Sequence, residues 1–568
     1  MSLDDQETET IELDSEEVPG LAGAIQQKFI EAEEGRYNDE RRWLKAYKNY
    51  RGISDNSTAY SASEKSKVFI KITKVKVLAA FGQIIDILFS NNKFPITVSS
   101  SPIPEGVAEF AHIPSPEEQQ LSQAIGNTSL RDLGYNGEDM DEFLAGLKEK
   151  YMGSSLVEGK SIFDTAQISP AQEAARNLEK QIHDQLMNTN AMTVLRHAIF
   201  ECSLLGTGII KGPFNFNKTI HNWKVENDQK IYEPYEKIIP KIEAVSCWDF
   251  YPDPAAVSLN DAEYVIQRHR YNREQLRSLI HRPYFNKEMI EDVLSESPKY
   301  EAKHFESEIH SEGDEYLFSD KRYEILEYWG MLDATLARQF GLDVPHYVSD
   351  LDSVQVNAWI VGDTIIRLVL NPFVPARIPF FTFPYELNPY QLFGIGVAEN
   401  MEDSQLLMNG HMRMAIDNLA LAGNMVFDID ETQLVPGQTM NIYPGKIFRR
   451  QSGQSGTAVN GVKFPNTAGE NLQMFDTARR LSDEQTGIPS IVHGQTGVTG
   501  TGRTASGLSM LLSSAGLSIK TVIKNIDDFL LKPLGESFFQ WNMQFNDENA
   551  EIVGDLEIKP KGTSAIIQ

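Results

Sequence analysis

Apolar positions in the C-terminal third of the chain keep a helical rhythm. Leu508, Leu512, Ala515, Ile519, Val522, Ile526 and Phe529 recur three and four residues apart and so share one helix face. The pattern runs from Thr504 to Phe545. At about 1.5 Å per residue this helix would extend roughly 60 Å, longer than an ordinary single-domain core requires. Pro533 lacks an amide donor and crowds the preceding turn, so a kink is expected there. The stripe is expected to pack both on its own globular body and on a neighbouring subunit.

Upstream the pattern alternates between helix and strand. Helical periodicity covers Ala22 to Tyr50, with Tyr37, Trp43, Tyr47 and Tyr50 along one side. It returns from Phe69 to Phe89, where Leu78, Phe81, Ile84, Ile85 and Leu88 form the stripe. Lys93 to Ser99 reads as a strand, 100–168 as a surface insertion, and 171–188 and 190–205 as helices. Strand signals open at Gly206 and dominate from Tyr232 to Ile266. Short helices at 273–279 and 287–294 lead into an acidic loop ending at Asp320. Tyr323 to Met331, Val354 to Ile360 and Thr364 to Leu370 read as antiparallel strands, the last two turned at Gly362-Asp363. Then follow a helix from Gly394 to Asn424, a Gly-, Pro- and Gln-rich β segment to Phe464, a helix from Glu470 to Gln485, the long helix, and a final strand from Glu551 to Lys559. The fold class is α+β.

The chain has 568 residues, enough for two to four domains or one multi-lobed unit. No apolar run reaches the length that crosses a bilayer, so no membrane partner is expected. The N-terminus lacks the basic and apolar regions of a secretory signal. Cys202 and Cys247 are the only cysteines and have no metal-ligand spacing. Charge changes the picture most. The formal net charge is −28, the opposite of the basic face that binds DNA by releasing its counterions. Eight carboxylates lie between Asp4 and Glu17 with no basic residue among them, so 1–19 is expected to be a disordered acidic tail.

Between the last two helices lies Gly494-Gln495-Thr496-Gly497-Val498-Thr499-Gly500-Thr501-Gly502-Arg503-Thr504. Gly497, Gly502, Arg503 and Thr504 match the phosphate-cradling spacing G-x-x-x-x-G-K-[ST], with Arg in place of Lys. The missing lysine, a short polar segment where a buried strand should precede, and the lack of a following strand that ends in Asp all favour a mobile polar loop. No metalloprotease helix, nucleophile elbow or cysteine cluster occurs, and neither cofactor nor metal is expected. Asp428 and Asp430 alternate as strand neighbours and read as a strand-end turn.

The order helix, small β insertion, helix, loop, long kinked helix resembles the portal proteins of tailed bacteriophages, most of all those of short-tailed phages. Local motifs carry the resemblance: Leu204-Leu205-Gly206-Thr207-Gly208-Ile209-Ile210-Lys211, Phe250-Tyr251-Pro252-Asp253-Pro254, Gly394-Ile395-Gly396-Val397-Ala398-Glu399, Thr486-Gly487-Ile488-Pro489 and Thr504-Ala505-Ser506-Gly507. The resemblance implies a wing over 20–393, stem helices at 394–424 and 467–486, and a clip at 425–466. It implies a tunnel loop at 487–503, a long wing helix at 504–545, and a closing wing strand with a minimal crown at 546–568. It further implies a twelve-subunit ring at one capsid vertex of the virion, assembled in the host cytoplasm. The implied partners are double-stranded DNA in the channel, the terminase large subunit, head–tail adaptor and tail proteins, and the major capsid and scaffolding proteins. The readings set against it are a P-loop NTPase or nuclease-type packaging-motor subunit and another virion structural protein of the tail or baseplate.

On this resemblance the acidity has a use, because carboxylates along a channel repel phosphate and keep sliding barriers low. Glu399, Glu402 and Asp403 on the first stem helix, and Asp476 and Glu484 on the second, are the candidate lumen groups. Carboxylates at a helix start also suit its dipole, or could pair with Arg413, Arg479 and Arg480. In the tunnel loop His493, Gly494, Thr496, Gly497, Thr499, Gly500, Thr501, Gly502 and Arg503 offer weak contacts to phosphate. Arg503 serves equally well as a brace for the long helix. Lys446, Arg449 and Arg450 give the clip a basic tip suited to an acidic partner, or simply a solvated hairpin end.

Overall fold

The computed structural model describes residues 18–53, 65–89, 94–100, 170–226, 229–298, 300, 303–310, 322–423, 426–443, 445–451, 453, 456–489, 518–546 and 556–560. The implied disordered tail falls outside these except at its end, because helix α1 (Val18–Gly35) already starts at Val18. The surface insertion 100–168 lies outside them from residue 101 onward.

The helix expected from Ala22 to Tyr50 is two helices, α1 and α2 (Tyr37–Arg51). The break is at Arg36, which is buried. Its guanidinium donates to the carbonyls of Cys247, Trp248 and Phe250 at 2.5–2.9 Å and lies 3.7 Å from the Tyr251 ring centroid. The aromatic-Asp-Pro turn thus closes around one arginine. Helix α3 (Ile72–Phe89) buries Thr73, Lys76, Val77, Ala80, Ile84 and Leu88, whereas Leu78 is exposed. The expected stripe is therefore rotated, because Lys76 points inward to partners described below.

Strand β1 (Ile96–Ser100) follows, then helices α4 (Pro170–Asn188) and α5 (Ala191–Leu205). Strands β2 (Thr207–Ile220), β3 (Trp223–Glu226), β4 (Gln229–Tyr232) and β5 (Tyr235–Val245) form one long hairpin, and β6 (Phe250–Pro252) and β7 (Tyr264–Tyr271) come next. Helices α6 (Arg273–Ser278), α7 (Lys287–Ser295) and α8 (His304–His310) precede β8 (Tyr323–Asp333). Helix α8 stands where a loop was expected. It is held by Glu306, which accepts from Arg268, Arg270 and Tyr300. Helix α9 (Ala334–Gln339), β9 (Ser353–Val361), β10 (Thr364–Leu370) and β11 (Phe380–Pro384) complete the body.

Its main sheet is antiparallel, in the order β10-β9-β8-β7-β6, and a second sheet runs β11-β2-β5. Strand β11 escaped sequence reading because prolines at 372, 375, 379 and 384 crowd it, and proline is a poor strand signal away from an edge. Lys211 on β2 bridges the sheets, with its ammonium 2.5 Å from Glu327 on β8 and 2.9 Å from Gln267 on β7. His269 and Trp329 also bond Glu327.

Helix α10 (Val397–Asn400), helix α11 (Glu402–Gly423), β12 (Val426–Ile429), β13 (Val459–Val462) and helix α12 (Ala468–Thr486) form a projecting unit. The chain returns as a helix from 518 through a π turn, Asp527–Leu531, into α13 (Lys532–Phe545), and ends on β14 (Leu556–Pro560). Lys532 N–H bonds Asp527 O, five residues back. The kink expected at Pro533 is thus a π turn just before it, with the proline in the first turn of α13. The extra residue shifts the apolar register. Ile523 is buried beside Ile519, Val522 and Ile526 before the turn, and within it Phe529 is exposed while Leu530 and Leu531 are buried. Residues 504–517 of the expected helix lie outside the described ones. Strand β14 pairs antiparallel with β1, from Ile96↔Pro560 to Ser100↔Leu556.

Candidate functional site: the helical hairpin, its loop and its β insertion

Helices α10–α12 make an antiparallel hairpin. Ser404 donates to Gln485 at 2.5 Å, His411 Nδ1 meets Asn471 Oδ1 at 3.1 Å, and Thr467 N–H donates to Asn418 at 2.8 Å. The first helix is interrupted at Met401, which is fully buried with Met408 and Ala478 against Ile72 and Phe475. Three glycines mount the hairpin on the body. A Cβ on Gly206 or Gly394 would lie 2.5–2.7 Å from backbone atoms across the joint, and one on Gly396 would lie 2.7 Å from Leu204 O.

A strap of extended chain before α3 runs along α11. Asp417 accepts from the amides of Lys65 and Ser66, Asn409 from Ile70, and Gln405 from Thr73, all at 2.9–3.0 Å. Sequence reading missed this strap. Its signal is an amide, an amide and a carboxylate, Gln405, Asn409 and Asp417, at intervals of four and eight along one helix.

The second helix ends at Gly487, whose φ of 63° favours glycine. Lys76, buried on α3, reaches Asp483 at 2.5 Å and also donates to the Ile488 carbonyl. Ser518 donates to the Gly487 carbonyl at 3.3 Å, so residues 487 and 518 lie side by side. Burial pushes the Lys76 ammonium down, and Asp483 offsets only part of this. His493, Gly494, Thr496, Gly497, Thr499, Gly500, Thr501, Gly502 and Arg503 lie outside the described residues, as does the rest of the phosphate-cradle match.

The five candidate lumen carboxylates separate into two groups. Glu399 lies 3.3 Å from Arg42 and Glu402 pairs with Lys45, so both face α2 within the same chain. Burial raises the Glu399 carboxyl, with Arg42 opposing. Asp403 is exposed on α11. Asp476 and Glu484 are exposed on α12 and flank Arg480 at four-residue spacing, which places all three on one polar face.

In the β insertion, β12 and β13 pair from Val426↔Val462 to Ile429↔Val459, and an isolated bridge joins Leu434 to Arg450. Asp430 caps the turn after β12 by accepting from Thr432 and Gln433. Lys446 is tied to Thr439 and lies 5.3–5.4 Å from the Tyr443 and Phe448 rings. Arg450 donates to Gln433 and to the Gly456 carbonyl. Arg449 is exposed, and its guanidinium has no partner among the described residues.

A two-helix hairpin carrying a β insertion, mounted on a mixed α/β body and followed by a long helix, is the plan of a phage head-to-tail connector subunit. The chain belongs to the family described as phage SU10 portal protein, whose model matches residues 165–556. It is thus a short-tailed-phage portal protein and a component of the virion. The family is structural and non-enzymatic. Among the described residues no helix is long and apolar enough to cross a membrane.

Proposed function

We propose that twelve copies of this chain close into a ring at one capsid vertex, with helices α11 and α12 as the stem around a DNA channel and 425–466 as the clip. One observation carries the ring. On α11, Leu407, Met414 and Leu421 are each more than 40% exposed, and so are Met474 and Leu481 on α12. Both sets repeat every seven residues, as in helices that pack along a seam. On the free chain this is apolar area with no cover, and at about 25 cal/mol per Å² its burial between neighbours is a substantial driving force.

In this arrangement the polar face of α12, with Asp476, Arg480 and Glu484, turns toward the channel together with Asp403. Carboxylates there keep phosphate from sticking. The loop from Gly487 to Arg503 supplies glycines and hydroxyls as weak, reversible contacts. Arg449 on the clip meets an acidic face of the terminase large subunit or of the head–tail adaptor. The wing meets capsid and scaffolding proteins while the head assembles in the host cytoplasm.

Sedimentation and negative-stain imaging of the purified chain test the ring. The Leu407→Lys, Met414→Lys double variant is expected to sediment as monomer with unchanged circular dichroism. Rings of normal size and stability from that variant would remove the stem seam from the proposal.

A further inference from the structure

The hairpin β2–β5 reaches well beyond its sheet. Strand β11 covers only Thr207 to Lys211 of β2, whereas β2 and β5 stay paired out to Ile220↔Tyr235, and β3 and β4 continue from Trp223↔Tyr232. Asn215 accepts from Trp541 and Lys218 donates to Asn188, so the inner half of this ribbon is tied to helices, while beyond Ile220 only β3 and β4 pair among the described residues, and an isolated two-stranded ribbon is marginal in water. Its aromatics are open to solvent. Trp223 is 61% exposed, Tyr235 49% and Tyr232 46%. They form a set, with the Trp223 and Tyr232 rings 5.3 Å apart and His221 Nδ1 2.5 Å from the Tyr232 hydroxyl.

At the base of the same hairpin lies an open cleft of about 510 Å³ between α5, α2 and the end of β5. Tyr47, Val194, Phe200, Leu204 and Trp248 line it. Glu201 on its wall is bonded by Ser246 at 2.5 Å, so the carboxylate is partnered within the chain. The volume and lining suit one or two aromatic side chains.

The ribbon's own tip cannot fill this cleft. Val245 lines the cleft and Tyr235 is ten residues away along an extended strand, roughly 33 Å at about 3.3 Å per residue. We propose that the aromatic tip of the hairpin docks in this cleft on a second copy of the chain. A copy is the occupant because ring closure sets the cleft of one subunit beside the hairpin of the next. Copies carrying −28 each repel one another, but residues 214–239 hold four lysines and four carboxylates and add nothing to that repulsion. A knob and a hole at different places on one chain make a head-to-tail contact, which closes into a ring or runs on as a filament. The contact rests on the ring reading above and supplies the wing with a second seam, away from the stem.

Cysteine pairing tests it. The native Cys202 and Cys247 are both buried. His197 is exposed at the cleft rim. Assembled Trp223→Cys, His197→Cys double variant, mildly oxidised, is expected to give a ladder of covalent oligomers on a non-reducing gel, and each single variant is expected to stay monomeric on that gel. Trp223→Ala is expected to raise the concentration for half-assembly about tenfold or more, as for a buried aromatic hot spot. Rings that form normally while the double variant gives no ladder would overturn the docking and leave the ring standing. Cross-linking of the Trp223→Cys single variant would overturn it in favour of tip-to-tip contact. A wild-type chain that forms no ring at all would instead count against the ring reading.

Discussion

Lys76 reaches 2.5 Å to Asp483 across more than four hundred residues of sequence, and the same ammonium donates to the Ile488 carbonyl. One side chain of α3 thus holds both the last turn of α12 and Ile488 just beyond it.

Lys76→Met is therefore expected to lower stability by about 3 kcal/mol, as for a buried pair that loses one partner. It should also speed proteolysis just after Pro489. Adding Asp483→Leu removes the carboxylate that faces Lys76 and is expected to recover part of the loss. Thermal unfolding of the single and double variants measures both effects. Equal loss in the two would mean that the ammonium's packing, and not the pair, holds the joint.

Burial alone would raise the Glu327 carboxyl, but the Lys211 ammonium and the His269 bond outweigh it and hold the group well below the usual carboxylate range. The unfolded chain then binds a proton at Glu327 before the folded one does, so stability rises with pH across that window. The contribution is fully present above the ordinary value of 4.5 and is lost as pH falls below it. Denaturant unfolding between about pH 5 and 3 is expected to show a shallower acid slope in Glu327→Gln than in the wild type. Parallel slopes would mean that other carboxylates dominate acid unfolding.

The elements were legible because their signals are local. Gly362-Asp363 turns β9 into β10, and Gly487 ends α12 as its position suggests. What could not be read was set by distant partners. Leu78 looks like a core residue from its spacing, yet α3 is rotated so that Lys76 can meet Asp483. The split at Arg36 depends on three carbonyls more than two hundred residues away. The candidate site divides in the same way. Asp403, Asp476 and Glu484 are exposed on the helices read for them, whereas Glu399 and Glu402 are drawn to Arg42 and Lys45 on a helix that spacing within the stem cannot reveal.

Lys446, Arg449 and Arg450 of the β insertion are expected to behave differently. Lys446 and Arg450 hold loops of the insertion together, so their loss should disturb its structure. Arg449 has no side-chain partner among the described residues. Arg449→Glu is expected to weaken binding of the packaging motor or tail adaptor about tenfold or more, the scale of an interfacial charge reversal. Rings and thermal stability should be unchanged. Surface plasmon resonance on assembled particles reads this out, and unaltered binding to both partners would place their docking surface elsewhere.

Ile526 separates two accounts of the long helix. Spacing alone allows its stripe to face a neighbouring subunit. In the structure Ile519, Val522, Ile523 and Ile526 are all buried by the same chain, in one core with α3, α4, α5 and the sheet of β2. Removing the Ile526 side chain from that core costs about 2–5 kcal/mol, and a buried carboxylate without a partner adds to the cost. Ile526→Asp is therefore expected to unfold or loosen the wing of each subunit, with lowered melting temperature and exposed apolar surface at concentrations where no ring forms. Had the stripe been an intersubunit seam, the monomer would keep its stability and only assembly would fail. Dye-binding thermal melts at low protein concentration, followed by sedimentation at high concentration, distinguish these outcomes, and a stable monomer that fails to assemble would return the stripe to the interface.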